Sequence, residues 1–247
     1  MEAFKSPGIS QARPNLTRDD LAFHTSQFDR NGYTIIANAL TKAELVTARR
    51  LLNEAYESYD PKIDGRKRVE GYRYSANIVN KDPFFTPLIA RDEVYSLAQQ
   101  VLGRDCILSS FNTLEPLKNQ GHQRLHRDGG HPPSEKVAAI NTLWAADDME
   151  PENGATRVVP GSHLGNDPAA EMEEQAVQLT VPAGHVLVTN TRVVHGASNN
   201  PSGRRRRVMH LYYVRGGIPQ QTDQKQYLSD QVQTGLSPEL RRILALD

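Results

Sequence analysis

This chain has almost no cysteine: Cys106 stands alone among 247 residues. One thiol cannot close an intramolecular disulfide, so the fold must stand on its own core, which fits a reducing compartment. No apolar run reaches the 18 or more residues of a membrane helix. Residues Met1 to Arg18 are polar and broken by Pro7, Gly8 and Pro14, without the apolar stretch of a secretory leader. These absences predict a cytoplasmic protein that enters no membrane. Nor is there an excess of charge: Lys plus Arg number 29 and Asp plus Glu 29. Nothing global draws the chain to nucleic acid or anionic lipid. Internal repeats are missing, and four consecutive arginines are the nearest approach to low complexity.

A chain of this length suits one domain, 1–247, with a flexible N-terminus at 1–18. The first hundred residues read as mostly helical. Thr17 or Asp19 caps a helix carrying Leu21, Phe23 and Phe28 that ends near Asn31-Gly32. A short β-like run, Tyr33 to Ala37, follows. Thr41 and Glu44 then form a capping box before a helix with apolar Leu45, Ala48, Leu51, Leu52 and Ala55. A further helix is predicted from Pro87 to Leu102, stopped by Gly103. Near residue 104 the period changes. Cys106–Leu114, Val137–Ala145, Glu174–Val181, His185–Thr189 and Arg206–Val214 are short, rich in β-branched or aromatic residues, and separated by Gly, Pro and Asn. The expected architecture is mainly β with helices (α+β): a jelly-roll or cupin-like core over about 104–216 under an N-terminal helical layer. The tail from Thr222 returns to helix, with Ser237 as a start.

The chemistry concentrates in His126-Arg127-Asp128 and in His195, which follows 69 positions later. Two imidazoles and one carboxylate can hold Fe(II) by three corners and leave positions open for a co-substrate and dioxygen. In an extended segment His126 and Asp128 point to one side. Gly129, Gly130, His131, Pro132 and Pro133 then open a loop, and a glycine follows His195, so both motifs end strands at a barrel rim. A rival pairing of His122 with His126, four apart as on a zinc-protease helix, lacks the glutamate base and is surrounded by glycines. It is rejected. The run Arg204 to Arg207 has three readings: a solvated loop, a nucleic-acid patch, or a fork for a dicarboxylate. Overall neutrality and the absence of interleaved aromatics disfavour the second.

Taken together, His126-Arg-Asp128, Asn153-Gly-Ala-Thr-Arg-Val-Val-Pro-Gly-Ser-His163 and His195-Gly…Asn200…Arg206 resemble the phytanoyl-CoA dioxygenase family from about Asp20 to Val214. The resemblance implies an Fe(II)- and 2-oxoglutarate-dependent oxygenase on a double-stranded β-helix. His126, Asp128 and His195 would be the catalytic metal ligands. The family's arginine for the far carboxylate of 2-oxoglutarate lies about eleven positions after the last histidine, where Arg206 stands. In a run of four, Arg205 and Arg207 remain alternatives. Gln123 and Thr156 resemble further 2-oxoglutarate contacts, although strand alternation would aim Gln123 away from the side of His126 unless the chain bends. Asn153, Gly154, Pro160 and Gly161 shape turns, and Ser162 and His163 brace their loop.

The implied cofactors are Fe(II), 2-oxoglutarate and O2, and the implied reaction is oxidation of a C–H bond in a small organic substrate. Related halogenases lack the carboxylate ligand, so Asp128 favours hydroxylation, desaturation, rearrangement or endoperoxidation. The resemblance is nearest in flavour to enzymes of secondary metabolism, and the ending Leu244-Ala-Leu-Asp247 carries no peroxisomal signal. Tyr72, Arg73 and Tyr74, in the basic and aromatic segment that begins at Arg66, and His131 beside the ligand loop, are the substrate-facing candidates. No nucleic-acid or membrane partner is expected, and the oligomeric state is left open, a homodimer included. Two alternatives stand beside this reading: an iron oxygenase of cupin type that uses no 2-oxoglutarate, and a non-catalytic binding module on the same fold.

Overall fold

The structure is a computed structural model that describes residues 17–66, 68–128 and 136–247. The N-terminal stretch to residue 16 and the substrate candidate His131 lie outside the described residues. Two antiparallel sheets form the centre. The larger has six strands in the order β1 (Tyr33–Ile36), β7 (Val186–Asn190), β4 (Ala139–Ala145), β9 (Val208–Val214), β3 (Ile107–Pro116), β2 (Tyr72–Ser75). The smaller runs β6 (Val177–Gln178), β5 (Thr156–Val158), β8 (His195–Ala197). Residues of both sheets line one cavity, so the sheets face each other across it in a cupin-like sandwich. The larger sheet takes its two outer strands from before residue 104, outside the stretch expected to form the barrel.

Alternation along the central strands decides what each face does. From β3, β4 and β9, Phe111, Trp144, Met209, Leu211 and Tyr213 point to a buried core shared with helices α1 (Arg18–Asn31), α2 (Lys42–Glu57) and α4 (Asp92–Leu102). Each such large side chain contributes about 1.5–3 kcal/mol by leaving water. Their neighbours Asn112, Asn141, His210 and Tyr212 point the other way, into the cavity. Both faces are thus buried, one apolar and one polar, and Trp144 and Phe111 belong to the helical side.

Local signals explain the helix ends. The Thr17 side chain accepts from the Asp20 amide and Asp20 returns the bond, which makes Thr17 rather than Asp19 the cap of α1. Thr41 and Glu44 do the same for α2. The predicted helix from Pro87 begins later than expected. Residues Pro83–Ala90 form 3-10 turns, Arg91 is extended, and α4 starts at Asp92. Pro83 and Pro87 lack the amide protons a continuous helix needs. The predicted strand Glu174–Val181 is likewise reduced to Val177–Gln178 after a 3-10 turn at Glu173–Gln175. Both its paired residues are exposed, so little burial holds a longer ladder. The tail breaks into α5 (Gln224–Tyr227), α6 (Asp230–Thr234) and α7 (Pro238–Ile243), the last capped by Ser237. Among the described residues no helix is long and apolar enough to cross a membrane.

Candidate active site

The chain from Gly121 to Asp128 runs as irregular backbone beside β8, and His126 pairs with His195 as an isolated antiparallel bridge. Gly196 permits this approach: a Cβ there would stand 2.9 Å from the Gln123 carbonyl oxygen. The bridge brings the two histidine rings to 4.6 Å between centroids. Asp128 reaches both, with Oδ1 3.3 Å from His126 Nε2 and Oδ2 3.4 Å from His195 Nε2. One ligand atom from each of the three lies within 4.8 Å of the others. His122 and His126 do not share a helix, in keeping with rejection of the zinc-protease pairing.

The surroundings fix how these groups present themselves. His126 Nδ1 bonds the Arg124 carbonyl at 2.8 Å, and His195 Nδ1 bonds the Val193 carbonyl at 3.0 Å. A carbonyl only accepts, so each Nδ1 carries a proton and the Nε2 edge of each ring faces Asp128, able to donate to the carboxylate or, without its proton, to offer a lone pair to a metal. Burial alone would raise the Asp128 carboxyl, but hydrogen bonds from His126, His195 and Asn141 carry it far below the usual carboxylate range. Asn141 Nδ2 donates to Asp128 Oδ2 at 2.6 Å, and His210 Nε2 donates to Asn141 Oδ1 at 2.6 Å. His210 is pushed down to about 4, by burial first, with Asp128 opposing and His195 and Arg66 adding to the effect. Sequence reasoning did not assign Asn141 or His210 to the site. A buried asparagine in mid-strand, where β propensity disfavours it, was the available signal.

Arg127, between the ligands, points away from them. Its guanidinium bonds the carbonyls of Arg192, Asp167 and Ser162. Ser162 Oγ in turn accepts from the Val194 amide at 2.8 Å, and His163 Nε2 bonds the Asp29 carbonyl of α1 at 3.0 Å. The Pro-Gly-Ser-His loop therefore clamps the ligand loop, β8 and α1 together.

The arginine run separates by role. Arg204 pairs with Glu150 at 2.8 Å, Arg205 pairs with Glu115, and Arg207 pairs with Asp147 at 2.7 Å. Arg205 and Arg207 also reach Asn53 of α2, so they tie the helical layer to the sheets. Arg206 alone turns inward. It is 2% exposed, its Nη2 donates to Thr156 Oγ1 at 3.2 Å, and its Nε and Nη1 have no partner. Burial pulls it down to about 10 against the pull of Tyr72 and Tyr56, so it stays charged at neutral pH. A buried guanidinium with two idle donors is costly unless an anion completes it. Its neighbours on the run are committed to Glu150, Glu115, Asp147 and Asn53, so of the four arginines it is Arg206 that lines the cavity.

Arg206, Thr156 and the triad line a cavity of about 240 Å³ together with Gln123, Tyr72 and Tyr74. The bend expected for Gln123 is present, because residues 121–125 are not a strand. Gln123 Oε1 accepts from the Ala197 amide at 3.0 Å. Arg73 is a correction. Alternation along β2 turns it outward, where it is exposed and 3.7 Å from Glu115, so it is not part of the cavity wall.

The family description "Phytanoyl-CoA dioxygenase (PhyH)" matches residues 28–208. Dioxygenase af480 of Aspergillus fumigatus is 26% identical over 247 residues, covering 94% of this chain and 78% of that protein. Among solved structures, the non-heme alpha ketoglutarate dependent carbocyclase SnoK from nogalamycin biosynthesis superposes with a TM-score of 0.68 at 22% identity, over 91% of this chain and 92% of its own. HygX from Streptomyces hygroscopicus, solved with nickel and 2-oxoglutarate bound, gives 0.67 at 19% identity, over 83% and 89%.

Proposed function

This chain belongs to the phytanoyl-CoA dioxygenase family, and from that premise we propose that it is an Fe(II)- and 2-oxoglutarate-dependent oxygenase that oxidises a C–H bond of a small organic molecule. The observation that carries the reading is Arg206, the buried and incompletely partnered guanidinium on the wall of the cavity that holds the three metal-ligand candidates.

The donor set fits Fe(II). Two imidazole lone pairs and one carboxylate converge on one point, and the carboxylate is ionised throughout the physiological range. His126, Asp128 and His195 would hold the ion. With 2-oxoglutarate and dioxygen, the bound iron supplies the oxidative decarboxylation that yields succinate and CO2 and the oxidising power for the C–H bond.

The chain's own residues do the rest. Arg206 and Thr156 receive the far carboxylate of 2-oxoglutarate, a charge-assisted pairing in a site closed to water. Arg205 cannot substitute, because Glu115 and Asn53 hold it on the other side of the sheet. Gln123, pinned to Ala197, walls the same end of the cavity. Asn141, backed by His210, keeps Asp128 in one rotamer, and the backbone carbonyls of Arg124 and Val193 keep the imidazoles in one tautomer. Tyr72 and Tyr74 from β2 line the same cavity, and the substrate would take the space beside them. Asp128 occupies the position that related halogenases leave open, which favours hydroxylation, desaturation or rearrangement. An iron oxygenase that dispenses with 2-oxoglutarate would leave Arg206 buried without an anion, which argues against that alternative. The likeness to SnoK, from nogalamycin biosynthesis, supports a place in secondary metabolism. The chain folds as one domain in this reading.

The test is succinate formation from 2-oxoglutarate by Fe(II)-loaded protein in air. Turnover that is lost in Asp128→Ala supports the proposal. No turnover together with no binding of 2-oxoglutarate by the metal-loaded protein would refute it.

A further inference from the structure

Among the described residues Arg66 is the one other guanidinium in the cavity wall, and no carboxylate there pairs with it. Its placement is built. The Tyr59 hydroxyl donates to the Arg66 carbonyl. Its Nη1 donates to Gln221 Oε1 at 3.0 Å. Gln221 is itself held, with Ser110 Oγ donating to the same oxygen at 2.9 Å and the Gln221 amide donating to Ser109 Oγ at 2.7 Å. Strand β3, the segment after α2 and the segment after β9 thus converge to carry one positive group to the cavity.

Arg66 and Arg206 serve different ends of that space. Arg206 lies beside Tyr72, whereas Arg66 lies beside Tyr74, the next residue on the same face of β2. Alternate residues of a strand are about 7 Å apart, and the two guanidiniums are held by different partners, Arg206 by Thr156 and Arg66 by Gln221. Val69, Leu114, Leu143 and the two tyrosine rings line the same cavity, an apolar and aromatic wall.

The charge of the filled site points the same way. Among the described lining residues Asp128 is the only carboxylate, against Arg66 and Arg206. A divalent ion and a doubly charged co-substrate cancel each other, Asp128 cancels Arg206, and the charge on Arg66 remains. A cationic substrate would meet that charge, and among the described lining residues no second acid answers it.

Resting on the proposed function, we infer that the substrate is a small carboxylic acid with an apolar or aromatic body, and that Arg66 is the specificity-determining residue that receives its carboxylate. The planar guanidinium, held edge-on by Gln221, suits a carboxylate better than a point cation would.

The test uses the full chain loaded with Mn(II) and 2-oxoglutarate under anaerobic conditions. The probes are matched pairs, cinnamate with cinnamamide and 3-phenylpropionate with 3-phenylpropionamide, and binding is measured by ligand-observed NMR titration. The expected result is that each acid binds about tenfold or more tighter than its amide. Arg66→Gln removes the difference, Arg66→Lys keeps part of it, and the affinity for 2-oxoglutarate is the same in all three proteins. Equal binding of acids and amides by the wild type, failure of either acid to bind, or an acid preference that survives Arg66→Gln overturns the inference. So does loss of 2-oxoglutarate affinity in Arg66→Gln, which would assign Arg66 to the co-substrate. Failure of the proposed function is seen separately, as a wild-type protein that does not bind 2-oxoglutarate at all.

Discussion

Arg206 Nη2 donates to Thr156 Oγ1 at 3.2 Å, and among the described residues this is the only hydrogen bond of a guanidinium that is 2% exposed. A charge buried on so little is destabilising in the free protein and becomes favourable only when an anion arrives.

Arg206→Met should therefore stabilise the metal-free, co-substrate-free protein by about 1 kcal/mol or more, a rise in Tm of about 2–4 °C. The same variant should lose the thermal stabilisation that 2-oxoglutarate gives the wild type. Calorimetric melts with and without the co-substrate check both halves. A variant less stable than wild type in its absence would show that Arg206 is structural.

Arg207 should behave oppositely. Its ion pair with Asp147 is largely buried, and it also bonds the Arg49 carbonyl of α2 at 3.1 Å. Arg207→Ala leaves Asp147 with the partly exposed Arg49 alone and should cost about 3 kcal/mol in urea unfolding. The affinity of the surviving folded protein for 2-oxoglutarate should be unchanged.

Adjacent arginines with opposite fates show what was legible in the sequence. Residue types, spacing and the three motifs placed the triad and an arginine eleven positions after His195, because ligand chemistry is written in side-chain identity. The capping boxes at Thr17 and Thr41 were equally local. Which of Arg205, Arg206 and Arg207 faces inward depended on where Glu115, Asp147 and Asn53 lie, contacts between residues up to 154 apart in the chain. Gln123 needed the irregular backbone that Gly196 makes room for. Arg73 was misplaced because composition marks a segment and only strand alternation marks a face. Asn141 and His210 were missed because their role exists only through Asp128.

Asn141 should matter to metal affinity without touching the metal. Asn141→Ala removes the 2.6 Å bond to Asp128, and loss of such an orienting contact typically weakens binding about 10–100-fold. Equilibrium dialysis with Mn(II) measures this directly. Unaltered affinity would mean that Asp128 is held by the histidines alone.

His163 gives the stability a defined slope with pH. Burial holds it below its ordinary 6.5, the Asp29 carbonyl opposing, and its Nδ1 is buried without a partner. The folded state therefore resists protonation that the unfolded chain accepts. Its contribution is fully present above 6.5 and is lost as the pH falls below that value toward the lower folded-state pKa. Between about pH 7.5 and about pH 5, the urea midpoint of His163→Gln should fall less than that of the wild type. Parallel declines would remove His163 from the acid response.

The most direct measurement compares two keto acids that differ by one carboxylate. Mn(II)-loaded protein is titrated calorimetrically with 2-oxoglutarate and with 2-oxobutanoate, for wild type and for Arg206→Met. With Arg206 as the counter-ion of the far carboxylate, the wild type prefers 2-oxoglutarate by about 100-fold or more, and Arg206→Met binds the two alike. A wild type without that preference, or a variant that keeps it, would contradict the assignment.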